Sequence, residues 1–138
     1  STWQENPHEG RFFLDTNEKH GGNAAGAFQG GGCLCYITTV PIETGKRYLA
    51  QVWVRKPVAR EGTAVALEIR WNDAAGRWYN GAANLRLDAR KAGVWEQLQI
   101  PFMAPPGAAR VVILLTGYGI EKEDVVRFDN AFLGEARE

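Results

Sequence analysis

The chain has few of the serine, cysteine and histidine side chains that serve as nucleophiles, general bases and metal ligands in many enzymes. Its 138 residues include two histidines, two cysteines, one methionine and a single serine, Ser1. A serine at the first position cannot occupy the strand-turn-helix elbow of a hydrolase nucleophile, which excludes Ser–His catalysis. His8 and His20 lie in a glycine- and asparagine-rich region without a second ligand at strand spacing. A metal enzyme of the cupin type is therefore not expected.

The chain also has no excess of charge and no long apolar run. Sixteen lysines and arginines balance sixteen aspartates and glutamates, so the formal net charge is zero. Without a basic surplus there is no electrostatic footprint for nucleic acid or for an anionic membrane. The longest apolar run, Val111–Leu115, is far too short to span a bilayer. We therefore expect no nucleic-acid partner and no insertion into a membrane.

Cysteine usage and the N-terminal sequence set further limits. Cys33 and Cys35 are two apart in an apparent strand, which points both side chains the same way and strains any bridge between them. No second cysteine pair could complete a metal site, so both are expected to be reduced and buried. The opening STWQENPHEG has no basic segment followed by an apolar one, unlike a signal peptide. Residues 1–138 are expected to form a single domain, mature or excised from a longer protein.

Strand-like segments separated by turn sequences follow one another along the chain. The predicted strands are Arg11–Asp15, Asn23–Gln29, Cys33–Val40, Arg47–Arg55, Ala64–Trp71, Arg77–Tyr79, Asn84–Leu87, Val94–Phe102, Arg110–Thr116 and Val125–Leu133. Turn sequences such as PIETGK and NDAAG separate them, and no segment has a convincing helical period. The pattern predicts an all-β fold, an antiparallel sandwich or barrel. The polar stretches Ser1–Pro7 and Gly134–Glu138 are interpreted as domain edges.

The segment Arg47–Arg55 has two unlike faces. Alternate residues form an apolar face (Tyr48, Ala50, Val52, Val54) and a mixed face (Leu49, Gln51, Trp53, Arg55). If the apolar face packs into a core, Trp53 lies outside it, between Gln51 and Arg55. An indole flanked by hydrogen-bonding groups suits a flat, hydroxyl-rich ligand such as a sugar. An ordinary covered sheet face could carry the same residues, so both interpretations stay open.

The segment Ala64–Trp71 alternates in the same way. Its apolar side ends in Trp71, which we predict to be in the core, and its other side carries Glu68 and Arg70. We expect Glu68 and Arg70 to form a second polar row beside Trp53, as an ion pair or a ligand-binding pattern. A glycosidase would need two carboxylates at catalytic separation, and nothing in the sequence places two of them so.

Several stretches, in their order along the chain, resemble the strands of galactose-binding-like jelly rolls. They are ENPHEG, KHGGNAAGAF, TGKRYLAQVWVR, VWEQLQIPFMAPPGAARVVILL and VVRFDNAFLGE, and together they cover nearly the whole chain. The chain is similar above all to the carbohydrate-binding modules that accompany xylanases and glucanases. The resemblance implies a jelly-roll β-sandwich of the galactose-binding-domain-like kind, with Trp95 in its core.

The resemblance also implies a function. It predicts a non-catalytic module that binds a polysaccharide or oligosaccharide and targets the catalytic domain of a parent glycoside hydrolase. Such an enzyme would be secreted, which predicts an extracellular or periplasmic location. Two alternatives remain: a structural jelly roll that packs against a catalytic domain without binding sugar, and a small lyase or glycosidase.

The sugar site implied by the resemblance lies on a concave sheet or in the loops at one edge. The residues assigned to it are Gln51, Trp53, Arg55, Glu68 and Arg70 on the sheet, and Trp78, Tyr79, Asn80 and Tyr118 at the edge. Because the proposed face carries both positive and negative side chains, neutral and anionic glycans are both candidate ligands. Arg47, Arg55 and Arg70 favour ligands that carry carboxylate or sulfate.

A structural calcium ion is the last implication of the resemblance. In such modules it joins the N-terminal loop to the last strand. Here Glu9 and Asp129 would supply carboxylates, and backbone carbonyls near Gly22 and Asn23 would add oxygen ligands. The alternative is that Asp129 caps a turn with Asn130 or pairs with Arg127.

Overall fold

The fold is known from a computed structural model that describes residues 2–4, 11–15, 25–30 and 32–136, with backbone only at 2–4, 11–15, 25 and 32–34. These residues form ten strands: β1 (Thr2–Gln4), β2 (Arg11–Asp15), β3 (Ala25–Gln29), β4 (Gly32–Pro41), β5 (Arg47–Arg55), β6 (Ala64–Asn72), β7 (Leu85–Asp88), β8 (Trp95–Met103), β9 (Arg110–Ile120) and β10 (Val125–Glu135). The described part of the chain contains no helix, and so none that could cross a membrane.

The strands form two five-stranded antiparallel sheets. The front sheet has the order β1-β4-β9-β6-β7, and the back sheet has the order β2-β3-β10-β5-β8. The expected antiparallel β-sandwich with jelly-roll architecture is confirmed. Chain neighbours β5 and β6 lie in different sheets, because the loop at residues 56–63 carries the chain from the back sheet to the front sheet.

This crossover corrects the expected arrangement of the polar rows. Glu68 and Arg70 were expected beside Trp53, but Trp53 pairs with Gln97 and Asp129 in the back sheet. Glu68 pairs instead with Leu114 and Arg86 in the front sheet. Since each strand turns its apolar side toward the opposite sheet, the two polar rows lie on opposite outer surfaces of the sandwich.

The core lies between the inward faces of the two sheets. The predicted alternation of β5 is confirmed, with Tyr48, Ala50, Val52 and Val54 all buried. From the front sheet Val65, Leu67, Ile69 and Trp71 pack against them in one continuous cluster. Burying one valine, leucine or isoleucine side chain contributes roughly 1.5–3 kcal/mol to the free energy of folding. The core therefore holds the outward residues of β5 and β6 in fixed register.

The sequence-based expectation for Trp95 was wrong. Trp95 was expected in the core, but Leu98, Ile100 and Phe102 are the buried residues of β8, and Trp95 lies half-buried opposite Arg55 on the outer face. Thr2–Gln4, which lies in one of the polar stretches interpreted as domain edges, forms the edge strand β1 and pairs with β4. A strand that adds to an existing edge gains main-chain hydrogen bonds without needing an apolar pattern.

The other expected segments differ mainly at their ends. Arg47–Arg55 is confirmed to the residue as β5, and β9 continues four residues beyond the predicted end at Thr116. Arg77–Tyr79 is not a strand; one bridge between Asn72 and Trp78 replaces it. Among the described side chains, Cys35 is buried, as predicted. The side chain of Cys33 lies outside the described residues.

Candidate functional site

The outer face of the front sheet contains a recess of about 270 Å³. It is lined by Cys35, Ile37, Arg70, Trp78, Leu114, Thr116 and Tyr118. These residues come from β4, β6 and β9 and from the segment that follows β6. The recess thus combines an apolar floor with an indole, a phenol and a guanidinium, the mixture found in sites for polar, ring-containing ligands.

Strand register explains why the floor of the recess is apolar. Cys35 pairs with Thr116, and Ile37 pairs with Leu114, so alternate residues of β4 and β9 project to the same side. Cys35, Val112 and Leu114 are buried there in a small cluster against Ile37, separate from the main core. On this outer face, neighbouring side chains therefore shield Cys35, Val112 and Leu114 from water.

Trp78 is positioned by the tight turn after β6. Asp73 Oδ1 accepts hydrogen bonds from the backbone N–H groups of Ala75 and Arg77, both at 2.9 Å. Tyr79 N then donates to Trp71 O at 2.9 Å, which returns the chain along the end of β6. Trp78 itself is 58% exposed while it lines the recess. Because its backbone is fixed and its ring is open to solvent, the Trp78 indole offers a surface on which a ligand ring can stack.

Tyr79 anchors the same segment. Its hydroxyl donates to Pro106 O at 2.8 Å. Gly81 and Gly107 lie against its ring: a Cβ at either position would come within 2.1 or 2.6 Å of the Tyr79 hydroxyl oxygen. Trp71 Nε1 donates to Ala83 O at 3.0 Å and fixes the far end of the segment. These contacts give Tyr79 a structural role in holding Trp78.

A buried carboxylate organises the polar part of the site. Glu68 is only 6% exposed. Its Oε2 accepts hydrogen bonds from Thr116 Oγ1 at 2.7 Å and from Tyr118 Oη at 2.5 Å. Its Oε1 lies 3.5 Å from Arg70 Nη2. A buried carboxylate with three partners avoids the desolvation cost of an unpaired charge and fixes the side chains that bind it.

A second ion pair borders the site on β7. The Arg86 guanidinium lies 4.8 Å from the centre of the Tyr118 ring, a cation–π contact. Arg86 Nε and Nη2 also donate to Asp88 Oδ1 and Oδ2 at 2.6 and 3.3 Å. Hydrogen bonding to Asp88 raises the pKa of Arg86 above its usual value. Tyr118 is therefore held from its hydroxyl by Glu68 and on its ring face by Arg86.

The structure brings together four of the nine residues assigned to sugar binding. Glu68, Arg70, Trp78 and Tyr118 form or border the recess. Tyr79 and Asn80 follow Trp78 in the chain; Tyr79 is half-buried and engaged, whereas Asn80 is exposed. Sequence reasoning missed Ile37, Leu114, Thr116 and Arg86. The alternation in LRLD could have indicated Arg86, but VVILL is apolar on both faces and gives no signal for Leu114.

The other three assigned residues, Gln51, Trp53 and Arg55, lie on the outer face of the back sheet. Gln51 Oε1 accepts a hydrogen bond from Gln99 Nε2 at 3.0 Å. Trp53 and Arg55 are each half-buried and make contacts of their own. These three residues are therefore separated from the recess by the whole thickness of the sandwich.

Of the four residues assigned to calcium, the structure describes one. Glu9, Gly22 and Asn23 lie outside the described residues. Asp129 precedes a register shift between β10 and β5, and its Oδ1 accepts a hydrogen bond from Asn130 N at 2.8 Å. Within the described ranges no group of three or more His, Cys, Asp or Glu side chains could hold a metal. Calcium binding stays a prediction that depends on the N-terminal residues.

Tyr118 gives the site a measurable alkaline response. Burial raises the pKa of its hydroxyl above the usual value of 10, and the hydrogen bond to Glu68 adds to this rise. Because the folded protein holds this proton more tightly than the unfolded chain, the stabilisation is complete below about pH 10 and is lost at higher pH. We expect the melting temperature of Tyr118→Phe to fall less between about pH 9 and pH 11 than that of the unaltered protein. Parallel declines, measured by circular dichroism, would contradict this assignment.

Comparison with known proteins shows the fold. No protein-family model and no curated protein matches the chain. Among solved structures, the enzymatically active domain of bacteriophage CBA120 tailspike protein 4 matches with a TM-score of 0.71 at 16% identity, over 92% of this chain and 18% of that chain. TmCBM61 in complex with β-1,4-galactotriose matches with a TM-score of 0.70 at 15% identity, over 99% of this chain and 88% of that chain.

A third similar structure is the CBM22-1 xylan-binding domain from Paenibacillus barcinonensis Xyn10C. Its TM-score is 0.60 at 12% identity, over 94% of this chain and 83% of that domain. The similar structures are mostly carbohydrate-binding modules with a jelly-roll fold, as the sequence resemblance predicted. At these identities the likeness shows that this chain has the jelly-roll fold that these modules share.

Proposed function

We propose that the chain is a non-catalytic carbohydrate-binding module that binds a glycan chain in the front-sheet recess. The observation that carries this proposal is the position of Trp78, which is 58% exposed beside an apolar floor and a fixed polar network. A sugar ring could stack its apolar C–H face on the indole while Arg70 and Tyr118 hydrogen-bond its hydroxyls. Carbohydrate sites generally combine these two elements.

The similar structures support the same ligand class. TmCBM61 was solved with β-1,4-galactotriose, and the CBM22-1–GH10 modules of Clostridium thermocellum Xyn10B were solved with xylohexaose. This chain spans 88% of TmCBM61, whereas it spans 25% of the xylanase chain, which also contains a catalytic module. By analogy we propose that the chain is attached to a glycan-degrading catalytic domain and acts outside the cytoplasm.

The carboxylates of the site argue against the enzyme alternative. A glycosidase needs one carboxylic acid to donate a proton and a second carboxylate free to act as base or nucleophile. Here Glu68 accepts bonds from Thr116 and Tyr118 and is ion-paired with Arg70. Asp88 is ion-paired with Arg86 at the edge. Both carboxylates are thus engaged in positioning neighbouring side chains, which suits a binding site.

Affinity gel electrophoresis tests the proposal directly. The protein is run through gels that contain β-1,4-galactan, xylan, mixed-linkage β-glucan or galactomannan, with bovine serum albumin as the non-binding reference. We expect retardation by at least one neutral polysaccharide and a dissociation constant in the micromolar to millimolar range, as expected for a few stacked rings. Retardation by none of a broad glycan panel would contradict the proposal and favour the structural alternative.

A further inference from the structure

We infer that Glu68 determines the charge selectivity of the recess: by neutralising Arg70 it makes the site select uncharged glycans over carboxylated ones. This inference rests on the proposed function, since it concerns the ligand class of the same site. The sequence alone pointed the other way, because Arg47, Arg55 and Arg70 favoured ligands with carboxylate or sulfate. The structure changes that balance through the positions of these three arginines.

Only one of the three arginines lies at the recess. Arg47 and Arg55 belong to β5 in the back sheet, on the far side of the sandwich. Arg110 ends the same outer face as Arg70, but it pairs with Asn72 and does not line the recess. Of the described residues that line the recess, Arg70 alone is charged. The response of the site to an anionic ligand therefore depends on Arg70.

The positive charge of Arg70 is compensated by Glu68, which lies on the buried side of the pair. The Arg70 side chain is 38% exposed, whereas the Glu68 side chain is 8% exposed. Glu68 thus lies beneath the surface, and its charge acts on Arg70 through the protein rather than through water. Arg70 Nε is buried without a hydrogen-bond partner in the described part of the chain, so the ion pair with Glu68 is the contact that compensates its charge.

The neighbouring charges cancel in the same manner. Glu68 pairs in register with Arg86, and Arg86 is ion-paired with Asp88. Two arginines and two carboxylates therefore leave this part of the face without net charge. Binding there would remove part of the hydration shell of a carboxylated glycan, and no unpaired positive charge would offset this cost. The affinity for a neutral glycan does not depend on such a charge, so the ion pairs do not weaken its binding.

Glu68→Gln is the variant that tests this role. Glutamine has the same shape, and its amide oxygen can still accept from Thr116 and Tyr118, but the charge that compensates Arg70 is gone. The probes are two matched pairs: β-1,4-galactan with the same galactan oxidised to carboxylate at C6, and unsubstituted xylan with glucuronoxylan. Glu135→Gln is the control, because it removes one negative charge from an exposed site on the back sheet, where Glu135 contacts Lys46.

For the unaltered protein and for Glu135→Gln we expect preference for the neutral member of a pair and affinity that changes little between about 20 and 300 mM salt. For Glu68→Gln we expect the preference to shift toward the carboxylated member by about tenfold, with affinity that falls as salt rises. The double variant Glu68→Gln, Arg70→Gln should lose this gain. Arg70→Gln alone should disfavour the carboxylated member further, which tests the inference even if Glu68→Gln does not fold.

The outcomes separate the two proposals. Tighter, salt-sensitive binding of carboxylated glycans by the unaltered protein would overturn the charge inference and leave glycan binding intact. A folded Glu68→Gln that loses binding to every probe would also overturn it, because Glu68 would then contact the ligand itself. A gain that survives in the double variant would show that Arg70 is not responsible. If the unaltered protein bound no glycan, the proposed function would fail and the charge inference with it.

Discussion

Trp78→Ala is expected to weaken binding to the retarding polysaccharide by about 10- to 100-fold with little change in folding stability. Removing an aromatic platform from the centre of a binding surface commonly costs about 1.5–3 kcal/mol of binding free energy. The indole is 58% exposed, so its removal leaves no cavity in the core. Isothermal titration calorimetry gives the affinity, and thermal melting followed by circular dichroism gives the stability.

Trp53→Ala is the matched control for this prediction. Trp53 is a second outward-facing indole, but it lies on the back sheet, half-buried between the positions of Gln97 and Asp129. Its removal should leave the affinity unchanged, and any effect should be confined to the melting temperature. The reverse result, an unchanged affinity in Trp78→Ala and a loss in Trp53→Ala, would move the glycan site to the back sheet.

The sequence was sufficient to predict the alternation of single strands. In Arg47–Arg55 every second residue is apolar, and the four predicted inward residues are buried. This worked because side-chain alternation is a local property of extended backbone. The same reasoning identified Trp71 as a core residue, whereas Trp78 became a candidate platform only through the family resemblance.

The sequence was not sufficient to predict which faces share a surface. Trp53 and Glu68 are close in the sequence and lie on polar faces of consecutive strands, but the crossover between β5 and β6 puts them on opposite sides of the sandwich. Pairing partners in a jelly roll are distant in sequence, as with Glu68 and Leu114. Such contacts depend on connections between sheets, which alternation within one strand does not encode.

The second large effect is expected at Trp71, which connects the core to the segment that carries Trp78. Trp71 is 3% exposed and contacts Phe102 edge-on, with ring centres 5.5 Å apart. Trp71→Ala should lower the free energy of unfolding by about 3–5 kcal/mol, since it removes the packing and leaves a cavity. Urea unfolding measures the loss. It is monitored by far-UV circular dichroism rather than by tryptophan fluorescence, because the variant lacks one tryptophan.

Trp71→Phe separates the two roles of this residue. Phenylalanine keeps most of the packing against Phe102 but cannot donate the 3.0 Å hydrogen bond from Nε1 to Ala83 O. Leaving that carbonyl without its donor should cost about 1–3 kcal/mol of stability. Because the same bond holds the end of the segment after Trp78, we also expect the glycan affinity to fall several-fold, by loss of preorganisation.

Leu98→Ala is the control that makes the affinity result interpretable. Leu98 is 1% exposed in the same core, but it lies on β8 of the back sheet, away from the segment that carries Trp78. It should lose about 2–5 kcal/mol of stability and bind glycan normally at a temperature where it is folded. If Trp71→Phe also bound glycan normally, the hydrogen bond from Tyr79 to Pro106 would be sufficient to hold Trp78 in place. The shape of the recess would then depend on that contact and not on the Trp71 hydrogen bond.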